Sequence, residues 1–138
     1  MFTGNNFGKT VDVLQRTMDV SLLRREVISN NIANAETPNF KRSDVNFEAE
    51  LAKAMASENK HTLPARVSDP RHMSFNETTD YRSVRPRRVL DYLTTSKNNG
   101  NNVDIEQEIM ASTENQMMYE LMSQSLAWQF SQINMVVR

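Results

Sequence analysis

The last 35 or so residues constrain the fold most. From Val103 to Arg138 the chain runs without Gly or Pro. As one helix this segment would extend roughly 50 Å, long for a chain of this size. A heptad-like track passes through positions 105, 109, 112, 116, 119, 123, 126, 130, 133 and 137, and seven of these ten are apolar or aromatic. A second track, Met110, Met117, Leu121, Trp128 and Met135, runs beside it. Two adjoining apolar stripes offer more surface than pairing with a single helix consumes. Asn102 or Asp104 is placed to cap the helix start, with Glu106 and Glu108 near the positive end of its dipole.

A matching segment lies at the other end. Lys9 to Ala35 also lacks Gly and Pro, and Val11, Leu14, Met18, Leu22, Ile28, Ile32 and Ala35 recur at helical spacing. Pro38 ends the pattern, since its ring disfavours helical geometry at Thr37 and it donates no N–H. Asn39 then stands where a turn needs positive φ. Between the helices, Phe47 to Met55 reads as a short amphipathic helix, and His72–Phe75 and Val84–Leu93 fit short strands or loop equally well. The Asn98–Asn102 cluster around Gly100 marks a turn. The expected fold is mainly α: long N- and C-terminal helices packed as a coiled-coil-like pair, with an irregular middle that has room for short strands. One domain of 138 residues is expected, with helices over about 9–37 and 103–138 and an irregular 38–102.

Composition narrows the function classes. Hydrophobic residues make up 38% of the chain, so the core is thin. A net charge of -1 gives no global field for nucleic acid or an anionic membrane. There is no cysteine, which removes disulfides, thiolate metal sites and thiol nucleophiles together. No apolar run is long enough to span a membrane, and the N-terminal residues do not read as a cleaved signal. His61 and His72 show no metal-ligand spacing, and no phosphate loop or nucleophile elbow occurs. No cofactor, metal or catalytic residue is expected. Arg82, Arg85, Arg87 and Arg88 form a basic run that reads as a solvated loop or a contact with an acidic neighbour, without a nucleic-acid motif.

The segment Ser29-Asn30-Asn31-Ile32-Ala33-Asn34-Ala35-Glu36-Thr37-Pro38-Asn39-Phe40-Lys41-Arg42 resembles the signature of bacterial flagellar rod and hook proteins. Asn39 replaces the usual Gly, and Phe40 a frequent Tyr. Gly100 to Glu108, followed by Glu114-Asn115-Gln116 and Tyr119, is similar to the C-terminal helix of the proximal rod members, as is Asp44 to Phe47. The resemblance implies a non-catalytic subunit of the proximal rod. Such a subunit is exported by the flagellar apparatus without a cleaved signal and sits in the periplasmic portion of the basal body. There it carries torque from the membrane ring towards the distal rod and hook. Implied partners are other rod subunits, the adaptor between rod base and MS ring, the export apparatus, and further copies in a helical assembly, with neither nucleic acid nor a membrane span. The expected assembly contacts are Leu14, Met18, Leu22, Ile28 and Ile32, with Asn30, Asn31 and Asn34 bonding across subunits or to the turn at Thr37 and Pro38. On the C-terminal helix they are Ile109, Met117, Leu121, Leu126, Trp128, Phe130 and Ile133. The competing reading is a cytosolic coiled-coil adaptor or secretion chaperone.

Overall fold

The computed structural model describes residues 6–58, 68, 69, 71, 78–95 and 97–137. Its elements are α1 (Asn6–Ala33), β1 (Ser43–Asn46), α2 (Glu48–Glu58), a 3-10 turn (Tyr81–Ser83), β2 (Arg87–Leu90) and α3 (Ile105–Val137). The mainly helical fold with two long terminal helices in contact is as the sequence predicts. The chain divides into two compact units, Met1–Val45 with Arg88–Arg138, and Asn46–Arg87.

In the first unit α1 and α3 pack along each other. Three contacts fix their direction. The Phe7 and Phe130 rings meet edge to face at 6.1 Å between centroids. Asn115 Nδ2 donates to the Ser21 carbonyl at 2.9 Å, and Asn31 Nδ2 to Glu108 Oε2 at 3.2 Å. Each step forward on α1 meets a step backward on α3, so the pair is an antiparallel hairpin. β1 and β2 pair near its closed end. The Asp91 N–H bonds the Arg42 carbonyl at 2.9 Å, joining the residue before β1 to the residue after β2, which sets these strands antiparallel.

The helix ends differ from the sequence reading in instructive ways. α1 begins at Asn6, ahead of the expected Lys9, and tolerates Gly8. It stops at Ala33, well before Thr37. Beyond it the N–H groups of Asn34, Ala35 and Thr37 reach back in tight turns to the carbonyls of Asn31, Ile32 and Asn34. Pro38 has no N–H for the Asn34 carbonyl, which accepts from the Thr37 N–H and from the Asn101 side chain. Asn39 adopts φ 58, as its position after the proline demands. At the start of α3, Asp104 is the cap: its Oδ1 accepts the Glu106 N–H at 3.0 Å.

Of Val84–Leu93, left open between strand and loop, only Arg87–Leu90 is strand. Pro86 cannot donate to a ladder, and Asp91 closes the other end by accepting the N–H groups of Leu93 and Thr94. The candidate strand at His72–Phe75 lies outside the described residues. β1 was hidden because it is four residues long with Val45 as its single apolar member.

The second unit is built around α2, whose predicted face is buried at Leu51 and Ala54, together with Phe47 just before it. α2 packs on the 3-10 turn, where Tyr81 is buried. Ser57 Oγ accepts the Thr79 N–H at 3.0 Å and holds the returning chain beside the end of α2.

Candidate functional site

The hairpin is unusual in which faces it buries. Towards α1, α3 presents Glu108 and Asn115, both buried, followed by Tyr119, Met122, Leu126 and Ile133, all half-buried. α1 answers with Ser21 and Asn31 as well as Val20, Val27 and Ile28. The track read from the sequence meets this seam at Tyr119, Leu126 and Ile133, while its Phe130 and Val137 are exposed. In the first turns of α3 it does not: Ile105, Ile109 and Gln116 face outward while the polar Glu108 and Asn115 face in. The reason is pairing, since a buried polar group is tolerated when its hydrogen bonds are met, and Glu108 meets both of its own.

Those bonds form a network at the closed end of the hairpin. Asn31 pairs with the backbone of Ser43 twice, donating from Nδ2 to its carbonyl at 2.8 Å and accepting its N–H at 3.1 Å. Glu108, fully buried, accepts from Asn31 on one oxygen and from Arg42 Nε at 2.5 Å on the other. Burial works against the Arg42 charge, but the hydrogen bond and charge of Glu108, with a further share from Asp44, outweigh it and raise the Arg42 pKa above its usual value. Asn102 Oδ1 accepts the Arg42 N–H at 2.6 Å, while its Nδ2 donates to the Asp91 carbonyl at 3.0 Å. Asn101 Nδ2 lies within 3.0 Å of the carbonyls of Asn34, Ala35 and Thr37, which the end of α1 leaves without helical partners. Lys97 Nζ adds a charge there, 3.0 Å from the Ala35 carbonyl. The asparagine-rich signature therefore locks the helix end, the strand and the start of α3 into one register.

The residues expected to make assembly contacts are distributed unevenly. Ile28 and Asn31 are buried within the chain, and Leu14, Met18, Ile32, Asn34, Leu126 and Ile133 are half-buried. Leu22, Asn30, Thr37, Pro38, Ile109, Met117, Leu121, Trp128 and Phe130 are exposed. Asn34 bonds back to Asn30 and receives the Thr37 hydroxyl at 3.4 Å, so it serves the local turn. Arg42, Asn101, Asn102 and Glu108 escaped the sequence reading as site residues. The one signal was Glu108 itself, an acid in the same register as Asn115, Met122 and Gln129.

Much of what α3 leaves exposed is apolar. Ile109, Met110, Met117, Met118, Leu121 and Trp128 all lie open on α3. From Leu121 to Val137 the helix has no charged residue. Among the described residues there is no cluster of groups able to hold a metal, and no helix long and apolar enough to cross a membrane.

Comparison with known proteins agrees. The sequence profile of a family described as "Flagella basal body rod protein" matches residues 12–41, which is α1 without its first turns, and the segment that follows it. The chain is 48% identical to the flagellar basal body rod protein FlgB of Borreliella burgdorferi over 97% of its own length and 99% of the relative's. It is 30% identical to FlgB of Bacillus subtilis over 95% of each chain. With Escherichia coli FlgB it shares 26% identity over 83% of each. Matched end to end by such relatives, the chain belongs to the FlgB family of flagellar basal body rod proteins.

Proposed function

We propose that this chain is a structural subunit of the proximal rod, delivered through the flagellar export apparatus to the periplasmic part of the basal body. It assembles with other rod subunits, with further copies of itself and with the adaptor between rod base and MS ring, and passes torque towards the distal rod and hook. The observation that carries this reading is the inversion in the first turns of α3: Glu108 and Asn115 face inward, while Ile109, Met117, Leu121 and Trp128 face outward. A patch of this kind on a long helix marks a protein contact. The closed end of the hairpin pairs its polar groups internally at Asn31, Arg42, Asn102 and Glu108, so the outer stripe is left for neighbours. Torque then passes across many small apolar contacts between stiff helices, with the closed-end network preventing the two helices of one subunit from sliding.

The test is Leu121→Asp. Leu121 is 61% exposed, so the substitution leaves the hairpin seam alone. Hook–basal bodies purified from cells carrying the variant should lack this chain, and swimming should be lost, while the purified protein keeps its helical circular dichroism. Normal incorporation of the variant would refute the reading.

A further inference from the structure

Asn115 carries an unmet hydrogen bond. The residue is 8% exposed and donates through Nδ2 to Ser21, yet its Oδ1 has no partner among the described residues. The donor contact with a carbonyl fixes the amide orientation, so the unpaired atom is an acceptor. Asn115 also lines a groove of about 410 Å³ between α1 and α3, with Ser21, Leu22, Arg25, Gln116 and Tyr119 among its other walls. A buried acceptor without a donor is destabilising, and an incoming N–H would recover that loss.

The same chain displays a suitable donor. Trp128 is its single tryptophan and is 59% exposed. The indole Nε1–H donates and cannot accept, and its ring gains most when buried in a half-apolar groove. Trp128 also lies in the uncharged stretch Leu121–Val137, so its approach brings no ionised group that must be desolvated. We infer that Trp128 of one copy inserts into the Leu22–Asn115–Tyr119 groove of the next and donates its indole N–H to Asn115 Oδ1. This rests on the rod-assembly reading and adds the pairing of surfaces. Groove and tryptophan are different patches, so the contact is heterologous. Each copy that offers its tryptophan keeps its groove free for another, and the contact propagates where a reciprocal one would close as a dimer.

The cysteine-free sequence makes the test direct. Gln116→Cys stands at the groove and Ser131→Cys one turn beyond Trp128 on α3. Fifteen residues apart on one straight helix, about 22 Å, the two thiols cannot bridge within a chain. Basal bodies from cells making the double-cysteine chain, treated with a mild oxidant, should give a ladder of cross-linked multimers of this chain, and either cysteine alone should give none. Trp128→Phe, which keeps the ring and loses the donor, should lower the cross-linked fraction roughly 3- to 10-fold. Adding Asn115→Leu should lower it no further, as expected for two halves of one bond. A chain present in basal bodies that yields no ladder, or only dimers, would overturn the pairing and leave the rod reading intact. A ladder undiminished by Trp128→Phe would overturn the assigned hydrogen bond. Absence of the chain from basal bodies would overturn both readings.

Discussion

Replacing Glu108 by Ala tests whether the closed-end network holds the hairpin together. The carboxylate is fully buried and meets Arg42 Nε at 2.5 Å and Asn31 Nδ2 at 3.2 Å. Loss of a charge-assisted bond to Arg42 is worth about 1.5–3 kcal/mol, and the packing of the removed methylene adds about 0.8 kcal/mol. Asn31 keeps its bond to the Ser43 carbonyl, and Arg42 still reaches Asp44 at 3.4 Å. The sum, about 3 kcal/mol, falls at the low end of the range for breaking a buried ion pair. At about 4 °C per kcal/mol for a chain of this size, the midpoint of thermal unfolding followed at 222 nm should drop by roughly 12 °C. Glu108→Gln keeps an acceptor and loses the charge, so it should fall between. Ile109→Ala, one residue away and exposed, should shift the midpoint by less than about 2 °C. A Glu108→Ala chain melting within about 3 °C of the parent would refute the reasoning, because the pair would then contribute nothing net.

Three further outcomes follow from the same region. Asn101→Ala removes the donor shared by the Asn34, Ala35 and Thr37 carbonyls and should destabilise by roughly 3 kcal/mol in urea unfolding, with faster amide exchange at the end of α1. Gly100 has φ +79, and a Cβ there would stand 2.6 Å from Asn39 Oδ1. Gly100→Ala should therefore lose about 1–2 kcal/mol by the same assay, mostly backbone strain since the Asn39 side chain can turn aside. The Thr94 hydroxyl and N–H, with the Leu93 N–H, hold the Asp91 carboxyl below its usual pKa of 3.8. A lowered carboxyl pKa stabilises the fold above the unfolded value, and that contribution disappears as pH falls below 3.8 through the lowered one. An NMR titration of the Asp91 carboxyl should show a midpoint below 3.8, moving upward in Thr94→Ala.

The elements legible in the sequence were those whose pattern repeats. α1, α2 and α3 announce themselves through apolar spacing, and Asn39 through its place after Pro38. The direction in which α3 faces was not legible, because periodicity reports that a stripe exists and says nothing of which stripe meets α1. Here two polar side chains, Glu108 and Asn115, outvoted Ile105 and Ile109 by finding partners far away in the sequence. The same holds for Asn101 and Asn102. Their composition marks a turn, but Asn101 depends on carbonyls more than sixty residues earlier and Asn102 on the Arg42 N–H and the Asp91 carbonyl. Local signals fix local shape; a hydrogen-bond network assembled from distant segments leaves no period to detect.

Finally, the chain leaves the hairpin unit after Val45 and re-enters it at Arg88, through strands that lie side by side. Neighbouring strands are about 5 Å apart. The exit and the return are therefore adjacent doors. A few residues or a folded module of any length could be hung there without changing the spacing of α1 and α3. The hairpin is in that sense a standard plug: its two helices stay interchangeable from one design to another, while the excursion is free to grow, shrink or be exchanged.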